Sequence, residues 1–87
     1  MDAEIRNYYE ILLDQTVTER KLREKFDDDQ LADLFCLTLN QLPCRYIRHR
    51  VDLNAYASMD ELIAMQKNVD EALKRAQEYI GNHPRKD

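Results

Sequence analysis

Three arginines, a histidine and a tyrosine fall within the six residues Arg45-Tyr46-Ile47-Arg48-His49-Arg50. They follow Asn40-Gln41-Leu42-Pro43-Cys44, a stretch that reads as the end of a helix. A guanidinium is a planar fork of donors that grips phosphate bidentately. The same fork matches the O6 and N7 edge of guanine. Tyrosine and arginine both offer faces on which a base can stack. A phosphorylated purine would engage all of these groups at once, through Arg45, Arg48 and Arg50 on phosphates or base edges and Tyr46 on a ring. Asn40 can hydrogen-bond a base or fix the turn in which it stands, and both roles stay open. His49 lies on the apolar side of the segment, where a core or interface role competes with ligand contact. The competing reading of the arginines is that they pair with surplus acids, for instance around Asp27–Asp29.

The rest of the composition narrows the chemistry. A single glycine cannot build a glycine-rich phosphate loop. Ser58 is the only serine and reads as a helix cap, and His49 and His83 have no evident triad companions. The chain is therefore expected to bind rather than to catalyse. Cys36 and Cys44 are too few for a tetrahedral metal site, so no metal or other cofactor is expected. The net charge is −4. Residues 1–44 carry ten acids against five bases, whereas residues 45–53 carry three arginines against Asp52. One short basic segment in an acidic molecule is a poor footprint for nucleic acid. The N-terminus lacks the charged and apolar regions of a signal peptide. No apolar run approaches the ~20 residues of a membrane span. Cys36 and Cys44 fit a reduced chain at least as well as a single disulfide, and together these features lead us to expect a cytoplasmic protein without a membrane partner.

The elements that must position the basic segment are mostly helical, as few turn residues in a chain rich in Leu, Ala, Glu, Lys and Arg suggest. Ile5, Tyr8, Tyr9 and Leu12 trace an apolar stripe that predicts a first helix over residues 3–15. Thr18 is a candidate cap for a short helix over Glu19–Lys25, with Val17, Leu22 and Phe26 on its apolar side. Asp27-Asp28-Asp29 reads as a helix cap rather than a cation site. The helix it opens is predicted from Asp29 to Leu42, apolar nearly all round, with Cys36 buried. A helix of that kind needs cover on more than one side, part of it from a second copy of the chain. Pro43 stops it.

Residues 45–53 alternate with period two, which predicts an extended segment needing a partner strand within the chain or across a dimer. Ser58 and Glu61 form a capping-box pattern that opens the last helix. Its expected face is Met59, Leu62, Ile63, Gln66, Val69, Leu73, Ala76 and Ile80, with Gly81 as the C-terminal cap and a frayed tail from Asn82 onward. The expected fold is thus mainly α, a single domain over residues 1–87. It has three to four helices, a short extended segment after the central helix, and a dimeric assembly.

The order of residues adds a further pointer. The stretch from Asp33 to Tyr46 resembles the signature of the ComFB family, named for late competence development, in which a helix enters A-L-N-x-L-P-P-R-Y and an extended segment follows. Leu39, Asn40, Leu42, Pro43, Arg45 and Tyr46 match it. Thr38 stands in place of the family's alanine and Cys44 in place of its second proline. Some members of that family carry an upstream cysteine cluster that binds zinc, but Leu22 to Asp29 contains no cysteine or histidine, so zinc is not carried over. The resemblance implies a small helical homodimer that acts as a receptor for a cyclic dinucleotide, cyclic di-GMP above all, and signals to an output protein. Taken together with the basic segment read from residue types, it points to Asn40, Arg45, Tyr46, Arg48, His49 and Arg50 as ligand-binding residues. The alternative is a structural interaction module without a nucleotide ligand.

Overall fold

The structure, a computed structural model, describes residues 5–47 and 57–83. The described elements are β1 (Arg6–Asn7), α1 (Tyr8–Glu19), α2 (Leu22–Lys25), α3 (Asp28–Leu39), β2 (Tyr46–Ile47) and α4 (Met59–Asn82). Among the described residues the architecture is mainly helical, as expected from composition, with four helices and one two-stranded sheet.

The first helix starts later than its apolar stripe suggests. Asn7 sits in extended geometry and its side chain accepts the N–H of Tyr9, which makes it the N-cap. Arg6 and Asn7 are thereby left outside the helix and pair antiparallel with Ile47 and Tyr46. At its other end α1 runs on to Glu19, because Thr16 and Val17 are buried. Lys21 then turns the chain in the left-handed region, at φ 55°. Thr18 is not the cap of α2. Its hydroxyl accepts from Arg23 at 2.9 Å, and Arg23 also reaches Asp14 at 2.6 Å.

Asp27 caps α3 as its residue type demands. Its carboxylate accepts the N–H of Gln30 at 2.8 Å, and the Gln30 side chain accepts the N–H of Asp27 at 3.0 Å. Asp28 and Asp29 fill the first turn, where negative charge faces the positive end of the helix. The helix ends at Leu39 rather than Leu42. Pro43 disfavours helical geometry at Leu42, and the chain tightens instead: Gln41 and Leu42 donate to the carbonyls of Thr38 and Leu39, each at 3.1 Å. Only Leu34 and Thr38 of α3 are buried within the chain. Leu31, Phe35, Leu37 and Leu39 pack partly against the core, and Cys36 is exposed. The expectation of a buried Cys36 is therefore corrected within the chain: α3 packs mainly along α4 and to a lesser extent against α1, and Cys36 is on its uncovered side.

Ser58 caps α4, its hydroxyl accepting the N–H of Glu61 at 3.1 Å. With 24 residues at about 1.5 Å each, α4 is the spine of the fold. Its buried line is Met65, Val69, Ala72, Leu73 and Ala76. Val69, Leu73 and Ala76 were expected there, but Met59 and Ile63 stand 70% and 61% exposed. The core needs a face for only part of the helix, since the described part of α3 contacts α4 most extensively and α1 less so. Gly81 is inside α4, and the cap is His83, whose N–H donates to Tyr79. The His83 ring stacks on Tyr79 with centroids 4.1 Å apart, so the helix end is not frayed at that point.

The main core joins Tyr9, Leu12, Leu13, Val17, Leu22, Leu34, Met65, Val69, Leu73 and Ala76. A smaller cluster places Ile11 against Ile47, with Tyr8, Ala57 and Leu62 around them. Gln66, expected on the apolar face, is there for polar reasons. It donates to the Thr16 hydroxyl and to Asp70, and Asp70 accepts from Arg20 at 2.6 Å. No helix among the described residues is long and apolar enough to cross a membrane.

Candidate functional site

Of the six residues singled out by type and spacing, the structure describes Asn40, Arg45 and Tyr46. Arg48, His49 and Arg50 lie outside the described residues, as does most of the extended segment expected over 45–53. The part that is described pairs within the chain, β2 against β1.

Arg45 is held through both of its backbone polar groups. Its N–H donates to the Asn7 side-chain oxygen at 3.0 Å, and its carbonyl accepts the Tyr8 N–H at 2.6 Å. One asparagine thus serves as helix cap and as strand clamp. The Arg45 guanidinium meets the Glu61 carboxylate at 3.0 Å, with the two side chains 40% and 38% exposed. The pairing with acids considered from sequence therefore exists for Arg45, but its partner is Glu61 of α4 and not Asp27–Asp29.

Tyr46 follows on the opposite side of the strand. Ile47 is buried against Ile11, so the alternation of an extended chain turns Tyr46 outward, where it is 66% exposed. An aromatic ring displayed to solvent on a strand pinned by its neighbours is a ready stacking surface. Asn40 is the C-cap of α3, with its N–H donating to Cys36 at 3.0 Å. Its side chain is exposed and makes no hydrogen bond to a described residue. The turn it was offered to fix is held instead by Gln41. The Gln41 amide donates to the carbonyls of Leu37 and Ala72, at 3.0 and 2.9 Å, and ties the end of α3 to α4. Arg75 reaches the same amide from α4 at 3.4 Å.

Sequence reasoning missed three residues around this site. Asn7 was passed over inside a predicted helix, although asparagine is among the strongest N-cap residues. Glu61 was recognised as the third residue of a cap, but nothing local announces its partner across the fold. Gln41 was read only as part of the end of the central helix. No three His, Cys, Asp or Glu side chains among the described residues come together in a way that could hold a metal ion.

The fold and site define a class: a small helical domain whose long last helix backs a short strand that carries an exposed tyrosine and is preceded by an arginine. A family model described as late competence development protein ComFB matches residues 6–84. The chain belongs to the ComFB family. No curated protein and no solved structure matches it.

Proposed function

We propose that this ComFB-family domain is a non-catalytic receptor for a cyclic dinucleotide, with cyclic di-GMP the first candidate. It would act in the cytoplasm as a homodimer and signal through a partner protein. The observation that carries the reading is Tyr46, 66% exposed beside the pinned Arg45 at the start of the basic segment. A cyclic dinucleotide supplies two purines to stack and two phosphates to pair. Tyr46 offers the first contact, and Arg45, Arg48 and Arg50 the second. Asn40, which is exposed, offers hydrogen-bonding groups for a base edge, and His49 completes the candidate set. The competence association in the family's description fits a regulatory role better than direct nucleic-acid binding, which the net charge of −4 disfavours.

Calorimetric titration with cyclic di-GMP tests this, with cyclic di-AMP and GTP as controls. The receptor reading expects saturable binding that Arg45→Ala or Tyr46→Ala weakens at least tenfold. No heat with any cyclic dinucleotide at concentrations well above micromolar sinks it.

A second reading is a protein-interaction module. It is favoured by the half-exposed apolar residues of α3 and by Met59 and Ile63 on the open side of α4. It expects Arg48→Ala with Arg50→Ala to weaken a protein complex while nucleotide binding is absent throughout. A complex indifferent to that double change counts against it.

A further inference from the structure

We propose that Glu61 is a built-in competitor for the anion that Arg45 binds. In the free protein its carboxylate occupies the place a ligand phosphate takes in the bound one. This rests on the receptor reading above and adds to it a residue that sets affinity from outside the basic segment.

Four observations support the exchange. Carboxylate and phosphate are the two partners for which a guanidinium fork is shaped, so one can replace the other without rebuilding the site. The pair lies 3.0 Å apart with both side chains more than a third exposed, so an anion arriving from solvent can reach it. The Arg45 backbone is held by Asn7 and Tyr8, so the guanidinium can change partner while the strand stays in place. Glu61, for its part, is stable without Arg45. Its N–H is satisfied by Ser58, and it stands in the first turn of α4, where the helix itself favours negative charge.

Exchange has a structural consequence. The ion pair ties the residue preceding β2 to the first turn of α4. Ligand on Arg45 breaks that tie and leaves a free carboxylate beside bound phosphate. The two anions repel, so Glu61 lowers affinity in the wild-type chain and pushes the start of α4 away from the occupied site.

The experiment is the same titration with cyclic di-GMP on four proteins: wild type, Glu61→Gln, Asp60→Asn and Arg45→Ala. Thermal melts without ligand confirm that each is folded. Glu61→Gln keeps the side-chain shape and removes the charge. It is expected to tighten binding roughly three- to fivefold, the range set by a half-exposed ion pair. Asp60→Asn removes an equal charge one residue away from a carboxylate that is not paired with Arg45, and is expected to change affinity less than about twofold. Equal tightening by both variants would reduce the effect to general electrostatics and overturn the competitor role. Unchanged or weaker binding by Glu61→Gln, with wild type binding and Arg45→Ala impaired, would overturn it while leaving the receptor intact. If no folded protein of the four binds, the receptor reading falls and the competitor role falls with it.

Discussion

The side-chain oxygen of Asn7 accepts two backbone donors, the N–H of Tyr9 at 3.2 Å and the N–H of Arg45 at 3.0 Å. The start of α1 and the start of the candidate site are therefore one structural unit. Asn7→Ala removes a helix cap and leaves the Arg45 N–H without its acceptor. A loss of about 1–2 kcal/mol is expected in chemical denaturation. Asn7→Asp keeps the acceptor and should stay within about 0.5 kcal/mol of wild type. Equal losses in both would show that the amide nitrogen, not the oxygen, is what matters.

Thr38 is fully buried in α3, and its hydroxyl has no hydrogen-bond partner among the described residues. Thr38→Val conserves shape and deletes the unsatisfied group. It should stabilise the fold by about 1 kcal/mol, which in a domain of this size raises Tm by roughly 4–8 °C. The alanine that the family signature carries here removes the same hydroxyl with a methyl group, so its gain should be smaller. A lower Tm in Thr38→Val would mean the hydroxyl is paired in solution.

Lys21 holds the α1–α2 corner at φ 55° and ψ 36°. That geometry costs a side-chain-bearing residue about 1–2 kcal/mol, and glycine adopts it freely. Lys21→Gly should gain roughly 0.5–1 kcal/mol after the greater flexibility of unfolded glycine is subtracted. Destabilisation would place the corner in another conformation.

Gly81 makes the opposite case. It lies within α4, and a Cβ built on it would meet nothing within 4 Å. Gly81→Ala is expected to raise stability by up to about 1 kcal/mol. If Gly81 instead capped the helix in the left-handed region, the same change would lower it.

Gln41 donates from one amide group to Leu37 in α3 and to Ala72 in α4. Gln41→Ala should cost about 1 kcal/mol per bond lost, and hydrogen exchange should speed up first around residues 39–42. Uniform faster exchange with unchanged relative protection at that turn would argue that Gln41 does not hold the junction.

Local rules made much of this protein legible. Asp27 and Ser58 cap helices because a short polar side chain ahead of an apolar run satisfies amide groups that have no partner inside the helix. The alternation of Tyr46 and Ile47 told outward from inward, because an extended chain has period two. The order of residues through Arg45 and Tyr46 also carried the family. These signals act between neighbours, so the sequence contains them in full.

Other features depend on which elements meet. Met59 and Ile63 fit the apolar period of α4 as well as Val69 does, yet they face out, because periodicity defines a stripe and not its covered length. Cys36 is exposed because, among the described residues, the contacts of α3 with α4 and α1 leave its side of the helix uncovered. Asn7 could have continued a helix until Tyr46 and Ile47 arrived to pair with its strand. Glu61 finds Arg45 only after α4 is laid beside β2. Residue types and spacing thus determined that the chain is mainly helical and that Asp27 and Ser58 open two of its helices. The tertiary structure alone decided which faces are covered and which charge answers Arg45, since both depend on contacts between residues distant in the chain.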